Sequence, residues 1–214
     1  MKTEYHIEIT HLALEKYFSS SALNTIVTGN LKQDKLRNQI GHDYIHFDGS
    51  AFEPGFNYIA EQEQLILQYL QSADVLPAWN AFGKIIHSWQ DFFSHSNYVQ
   101  LWSQKHPHRT PQDIEIDDTE ILQHPELASG KNYGPIELIA TLPGLSVLLM
   151  PLMPRDSHAH MNLDAPSAGP FFEFTYWAAM MATENAYTKT SELIKQVDHG
   201  GELIKVFKGQ VSHK

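Results

Sequence analysis

Apolar residues recur at helical spacing along four stretches of the chain, and we take these stretches as predicted helices. The first runs from about Ile9 to Leu23 and the second from about Phe56 to Ser72. The third begins after Pro77 and continues to about Val99, and the fourth begins after Pro170 and ends near Gly200. Alternating strand patterns are scarce and no internal repeat is visible. The sequence therefore predicts a single all-α domain, a multi-helix bundle covering residues 1–214.

Two segments lie outside this helical pattern. Residues 103–135 are rich in Pro, Asp, His and Gly, which predicts an irregular excursion from the bundle. The stretch from Leu138 to Met153 is the most apolar of the chain, but Pro143, Gly144 and Pro151 interrupt it. It is also shorter than the roughly 20 residues that a membrane-spanning helix needs. We expect a buried or substrate-facing loop there and no transmembrane segment.

Composition narrows the possible functions. The 214 residues are 42% hydrophobic and 19% charged, as in ordinary globular proteins. Fifteen Lys and Arg against 25 Asp and Glu give a net charge of −10, which argues against stable binding to duplex DNA or to anionic membranes. The absence of cysteine excludes disulfides, thiolate metal sites and cysteine nucleophiles. No secretory signal is apparent, so we expect a cytoplasmic protein, or an extracellular one if a leader has been removed.

Histidine is abundant, with 13 residues in the chain, and three metal-binding side chains are regularly spaced on the third predicted helix. His87, Asp91 and His95 are four residues apart, so each advances by only about 40° around the helix and all three share one stripe. Imidazole and carboxylate are the ligands of transition-metal sites that lack thiolates. Flanking apolar residues would direct this stripe inward, where a buried carboxylate needs a cation. The stripe predicts metal ligands, the alternative being polar groups satisfied within the core.

Three further clusters contain the same residue types. Each alone has a plain alternative, namely a surface turn, a solvated loop or a helix cap. Together with the stripe on the third helix they indicate a polynuclear metal site. The clusters comprise Asp156, His158, His160 and Asp164; Asp34, His42, Asp43, His46 and Asp48; and His6 and His11.

The segment GKIIHSWQDFFSHSNYV resembles the Het-C branch of the zinc-dependent phospholipase C / P1 nuclease superfamily. THLALEKY, NLKQD followed by YIHFD, and HMNLD resemble other ligand segments of that family, in the family's order. The resemblance implies an all-α fold of that type around two or three zinc ions. It also implies that Asp34 and Asp91 are the catalytic carboxylates. The implied ligands are Asp34, His46, His87 and Asp91 for one zinc; His95, His160 and Asp164 for a second; and His11 for a third. At the third zinc, Asp91 would be a bridging ligand, and His6 would replace the N-terminal ligand of secreted members.

The expected function is that of a phospholipase C-like phosphodiesterase, a metal-dependent hydrolase. Metal ions lower the pKa of bound water to about 7 and stabilise charge on the phosphoryl oxygens. The expected partner is a phosphoester such as a phospholipid, and His/Asp sites accept other divalent metals besides zinc. Two alternatives remain. One is an HD-type metal phosphohydrolase that uses His42 and Asp43, and the other is a non-enzymatic metal-binding scaffold or interaction protein.

Overall fold

The computed structural model describes residues 1–35, 38, 41–133 and 152–210. This part of the chain is mostly helical and contains no extended strand, only two isolated bridges, Ser96–Ser129 and Lys131–Ser157. The predicted all-α class is confirmed. The described helices are α1 (Thr3–Leu14), α2 (Ser20–Leu31), α3 (Asp43–His46), α4 (Phe52–Gln71), α5 (Val75–His95), α6 (Tyr98–Lys105), α7 (Thr119–Leu122), α8 (His158–Met161), α9 (Phe171–Val197) and α10 (Glu202–Phe207).

Helix α5 forms the centre of the bundle, with α2, α4 and α9 packed around it. From Ala81 to His95 every residue is buried except the half-buried Lys84 and Trp89. A helix surrounded in this way must be apolar on nearly all of its faces. Any polar side chain that α5 carries in this stretch is therefore placed in the core.

Two glycines allow α2 and α5 to approach closely. A Cβ added at Gly83 would lie 2.7 Å from the backbone nitrogen of Asn30, and one added at Gly29 would lie 2.8 Å from the carbonyl oxygen of Asn80. Any larger residue at either position would force the helices apart. The contact brings Asn30 of α2 against the polar residues of α5.

The first predicted helix is wrong in its boundaries, because the structure has two helices where one was expected over Ile9–Leu23. Helix α1 ends at Leu14, and α2 begins at Ser20. The side chain of Ser19 accepts a hydrogen bond from the backbone N–H of Ala22 at 3.3 Å, so Ser19 is the N-cap of α2. A serine cap can start a helix within an apolar pattern that continues across the break.

The other predicted helices agree with the structure apart from their ends. The helix expected over Phe56–Ser72 is α4, and the one expected after Pro170 is α9. The third was predicted to reach Val99, but α5 ends at His95 because Ser96 is extended, and α6 follows. Pro77 lies in the first turn of α5, where a proline is tolerated.

The excursion predicted from residue 103 agrees with the structure beyond the end of α6. Residues 106–133 carry short helical turns joined by irregular chain. Most of the apolar segment expected to form a loop, residues 138–151, lies outside the described residues. Among the helices that are described, none is long and apolar enough to span a membrane.

Candidate metal centre

The three regularly spaced side chains of α5 all face the interior. His87 and Asp91 have no exposed surface, and His95 is 5% exposed. Imidazoles and carboxylates that are this fully removed from water need polar or charged partners. Two clusters of His and Asp side chains provide them, and Asp91 lies between the two.

Four residues from three segments form the first group, which we call the inner cluster: His6 of α1, Asp34 beyond α2, and His87 and Asp91 of α5. Their ligand-type atoms all lie within 4.8 Å of one another. His87 Nε2 is 2.9 Å from Asp91 Oδ2 and 3.6 Å from Asp34 Oδ1. His6 Nε2 is 3.3 Å from Asp91 Oδ1 and 4.0 Å from Asp34 Oδ2. Two imidazoles and two carboxylates thus converge on one point.

The second nitrogen of each inner-cluster imidazole is held by a side-chain amide. His6 Nδ1 donates to Gln90 Oε1 at 2.5 Å, and His87 Nδ1 donates to Asn30 Oδ1 at 3.0 Å. An amide oxygen only accepts hydrogen bonds, so Nδ1 carries the ring proton in both histidines. In the neutral form of each ring, Nε2 then directs a lone pair at the carboxylates. His6 Nε2 is buried and has no hydrogen-bond partner.

The electrostatics of the inner cluster favour a bound cation. Burial alone would raise the pKa of Asp91, but the amino group of Met1, His87 and His95 hold it well below its usual range. Burial lowers the pKa of His87 to about 4 in spite of the neighbouring Asp91 carboxylate. A neutral imidazole therefore presents a lone pair to an ionised carboxylate. A divalent cation placed between the two groups would be coordinated by both.

Asp48, His95 and His158 form a second group, which we call the outer cluster. His158 Nε2 is 3.3 Å from His95 Nε2 and 3.7 Å from Asp48 Oδ1, which itself lies 3.1 Å from His95 Nδ1. Burial opposes protonation of His95, but Asp91 and Asp48 are among the groups that raise its pKa to about 10. Burial and His95 both lower the pKa of His158. His95 is therefore the charged ring of the pair at neutral pH, and His158 is the neutral one.

The amino group of Met1 lies between the two clusters. It is 2.8 Å from Asp91 Oδ1, 2.9 Å from Asp164 Oδ1 and 3.2 Å from His95 Nε2. Burial opposes its charge, but Asp164 and Asp91 outweigh burial and raise its pKa to about 11. Asp164 also accepts a hydrogen bond from the hydroxyl of Ser94 at 2.8 Å. A positive charge at this point offsets the two carboxylates.

A strained turn places two further polar side chains at the clusters. Phe47 adopts a left-handed conformation with φ of 58°, which is uncommon for a bulky residue and costs of order 1 to 3 kcal/mol. Its ring is buried against Phe92 at a centroid distance of 5.2 Å. His46 and Asp48, on either side of Phe47, then face the polar site. His46 Nδ1 donates to Asp91 Oδ2 at 2.8 Å, and Asp48 contacts His95.

Of the nine side chains predicted as ligands, seven lie in or beside the two clusters and two do not. His11 follows His6 by five residues, about 140° further around α1, and belongs to neither cluster. His160 is exposed, and His158, about 200° away on the same helical turn, faces His95 instead. Whether any of the nine binds a metal stays a prediction. The remaining seven are His6, Asp34, His46, His87, Asp91, His95 and Asp164.

Sequence reasoning missed several residues of the site. It placed Asp48 and His158 near the ligands without assigning them a role, and it did not identify Asn30 or Gln90 at all. The only signal for Gln90 was its position next to Asp91 on the third predicted helix. His42 and Asp43, the pair required for the HD-type alternative, belong to neither cluster.

A third group of residues with ligand-type side chains lies away from the core, and we call it the peripheral cluster: His106, Glu115 and Asp118. Lys105 Nζ is 2.8 Å from Asp118 Oδ2, and His106 Nε2 is 3.8 Å from the same oxygen. Glu115 is exposed. A side-chain cation is therefore already present at this group.

The helical bundle and its buried clusters define a class of protein, an all-α domain with His and Asp side chains gathered in its core. The chain belongs to the VWA7 N-terminal domain family, because the model of that family matches residues 6–121. Two relatives are the von Willebrand factor A domain-containing protein 7 of Homo sapiens and that of Rattus norvegicus. Each is 30% identical over 89 residues, which are 41% of this chain and 10% of the relative. No solved structure matches the chain.

The family assignment corrects the expectation drawn from the resemblance. The proposed membership of the phospholipase C / P1 nuclease superfamily, with its Het-C branch, is wrong, and so is the zinc phosphodiesterase function that depended on it. A His-x3-Asp-x3-His spacing arises wherever a helix presents one ligand-type residue per turn to a buried site. The spacing therefore indicates a kind of site and not a reaction. The catalytic role expected for Asp34 and Asp91 depended on that function and has no support without it.

Proposed function

We propose that this domain is a non-enzymatic metal-binding module whose inner cluster holds one divalent transition-metal ion, zinc, as a structural element. The observation that carries the proposal is the pair of Nε2 lone pairs, on His6 and His87, that face the carboxylates of Asp34 and Asp91. The Nδ1 protons of both rings are already committed to amide oxygens. The Nδ1 proton of neither ring therefore points to where the four ligand-type atoms meet, and the donors that reach Asp91 from outside the cluster are Met1 and His46.

The chemistry of the four residues suits zinc. Structural zinc sites are closed, four-coordinate sets of His, Cys and Asp or Glu side chains, and two imidazoles with two carboxylates are such a set without thiolates. Two neutral imidazoles and two carboxylates carry a charge of about −2, which a divalent ion neutralises. His87, Asp91 and His6 are fully buried, and Asp34 is 29% exposed, so the ion would be largely shielded from water.

Such an ion would connect elements that are distant in the sequence. His6 comes from α1, Asp34 follows α2, and His87 and Asp91 belong to α5. Because these segments are not held together in the unfolded chain, the free energy of metal binding would become free energy of folding. The proposed role is to fix the arrangement of the bundle, which then offers a stable surface for interaction.

The outer cluster extends the proposal to a second ion. Asp48, His95 and His158 are its candidate ligands because their ligand-type atoms lie within 4.8 Å of one another, and the ion would displace the extra proton on His95. The site would be less shielded than the inner one, because the side chain of His158 is 23% exposed. We therefore expect the second ion to bind more weakly than the first.

Metal content per chain tests the proposal, measured by elemental analysis of protein purified without a His tag. We expect about one equivalent of zinc or more in the wild type. Asp34→Asn should lose most of the inner-site zinc, because it removes the charge of one ligand, and its partly exposed position favours continued folding. Asp117→Asn makes the same change at an exposed residue outside the clusters and should retain wild-type metal content.

Two results would overturn the proposal. Less than about half an equivalent of any metal, not restored by added zinc, would exclude the resident ion. Zinc-dependent turnover of phosphodiester or phosphatidylcholine substrates that disappears in Asp34→Asn would contradict the non-enzymatic role.

A further inference from the structure

A buried network of uncharged polar side chains lies directly behind the inner cluster. It consists of Thr10, Asn30, Gln90 and Thr183, one each from α1, α2, α5 and α9, and none of the four has exposed surface. In a region without water, each donor must meet an acceptor within the protein. The orientation of one member of the network therefore constrains the orientation of the next.

The network has a fixed starting point at Thr183. Its hydroxyl donates to the carbonyl oxygen of Ala179, one turn earlier in α9, at 2.8 Å. A hydroxyl has one proton, so toward its other neighbour Thr183 Oγ1 can only accept. It accepts from Gln90 Nε2 at 3.0 Å. The amide nitrogen of Gln90 is thus directed at α9, and its oxygen at the inner cluster.

From Gln90 the same constraint reaches both imidazoles. Gln90 Oε1 accepts from His6 Nδ1 and also from Asn30 Nδ2 at 2.9 Å, which uses both of its lone-pair directions. With its nitrogen directed at Gln90, Asn30 turns its oxygen to His87 Nδ1. Both rings therefore carry a proton on Nδ1, and Nε2 of each neutral ring is an acceptor. His87 Nε2 lies 3.2 Å from His46 Nδ1.

We infer that Thr183 is a positioning residue for the inner cluster: through Gln90 and Asn30 it selects the tautomer in which His6 and His87 can both bind a metal through Nε2. The metal-binding part of this inference rests on the proposed function, whereas the tautomer part stands on the hydrogen-bond network alone. Thr183 does not belong to the inner cluster, and it lies outside residues 6–121, the region that the family model matches.

The opposite arrangement shows why the hydroxyl matters. If the amide of Gln90 turned over, its nitrogen would face the nitrogen of Asn30, and Asn30 would have to turn over as well. Both imidazoles would then accept hydrogen bonds at Nδ1 and carry their protons on Nε2, where metal binding is needed. In the observed arrangement Gln90 Nε2 donates to Thr183 Oγ1 at 3.0 Å and to Thr10 Oγ1 at 3.4 Å. Without the Thr183 hydroxyl only the longer bond remains, so the preference for this arrangement is weakened.

Two substitutions at Thr183 separate this role from simple packing. Thr183→Val keeps the shape of the side chain but removes the hydroxyl, and Thr183→Ser keeps the hydroxyl but removes the methyl group. The tautomers are read by nitrogen-15 NMR of the imidazole rings in the metal-free proteins at neutral pH. Zinc affinity is read by competition with a chelator. If the valine variant does not fold, Thr183→Ala takes its place.

We expect Nδ1-protonated His6 and His87 in the wild type and in Thr183→Ser, and a substantial Nε2-protonated population in Thr183→Val. Zinc affinity should fall about tenfold in the valine variant alone, within the range seen when outer-shell partners are lost. Identical tautomers and affinities in the valine and serine variants would overturn the inference, as would an Nε2-protonated wild type. If the wild type binds no zinc, the proposed function fails, and the tautomer measurement still decides the role of Thr183.

Discussion

The inner and peripheral clusters contain the same residue types in different surroundings. Both combine histidine with two carboxylates within ligand distance. In the peripheral cluster, Lys105 contacts Asp118 at 2.8 Å and Glu115 is exposed, so water and a side-chain ammonium stabilise the negative charge. In the inner cluster the imidazoles of His6 and His87 are fully buried, and the positive charge beside Asp91 is the amino group of Met1 at 2.8 Å.

The difference shows that proximity of His and Asp residues is a weak indication of a metal site. What distinguishes the inner cluster is the combination of burial with imidazoles whose Nδ1 protons are held elsewhere, by Gln90 and Asn30. Metal-binding histidines are commonly oriented by such outer-shell hydrogen bonds. The comparison therefore predicts different responses of the two clusters to metal removal, to changes in packing and to removal of Lys105.

Metal removal should lower the thermal stability of the protein more than any of the substitutions below, and it should act through the inner cluster. At free zinc about 1,000 times the dissociation constant, binding contributes about 4 kcal/mol. For a domain of this size we expect chelation to lower the melting temperature by roughly 10 °C. Thermal unfolding with and without chelator measures the shift, and zinc added back should reverse it. An unchanged melting temperature after zinc has left would mean that the ion does not stabilise the bundle.

Gly83→Ala should destabilise the protein less than metal removal does, and it should again leave the peripheral cluster intact. The added methyl group would lie 2.7 Å from the backbone nitrogen of Asn30 and push α2 away from α5. We expect a loss of about 1 to 3 kcal/mol in the free energy of unfolding of the metal-free protein, as for other overpacked contacts. Zinc affinity should also fall, because Asn30 no longer orients His87.

Chemical denaturation and zinc competition measure the two effects of Gly83→Ala. Gly200→Ala is the matched control, since a methyl group there meets no atom within 4 Å. Equal stability and zinc affinity of the two variants would show that the close helix contact does not position the inner cluster.

The sequence predicted much of this architecture because local periodicity carries it. The all-α class, α4, α9 and the inward stripe of His87, Asp91 and His95 follow from spacing alone. Spacing fails where the apolar pattern continues across a break, as at Ser19 between α1 and α2. It also fails for short turns, where two neighbouring histidines point to opposite sides and only the fold selects His158 over His160.

The parts of the site that could not be predicted depend on tertiary contacts. Gln90 and Asn30 are ordinary helix residues in sequence, and they meet only because Gly29 and Gly83 let α2 and α5 touch. Thr183 joins them from a helix about 90 residues further along the chain. The reaction was wrongly predicted for a related reason, because a ligand spacing reports helix geometry, which many unrelated proteins share.

Lys105→Met should have the smallest effect on the protein, a change in zinc binding at the peripheral cluster. It tests whether the ammonium group of Lys105 prevents metal binding there. Without Lys105, the carboxylate of Asp118 and the buried Nε2 of His106 face each other with no lysine beside them. We expect one further equivalent of zinc, bound more weakly than at the inner cluster because Glu115 is exposed to water.

Zinc titration of Lys105→Met in an Asp34→Asn background measures the new site without interference from the inner one. Lys195→Met, at an exposed lysine on α9, controls for the loss of a positive charge from the surface. If Lys105→Met gains no zinc, then exposure and not the lysine accounts for the difference between the two clusters. Burial of the ligands would in that case be sufficient to explain the selectivity of the inner cluster, since exposed carboxylates remain well solvated without a metal.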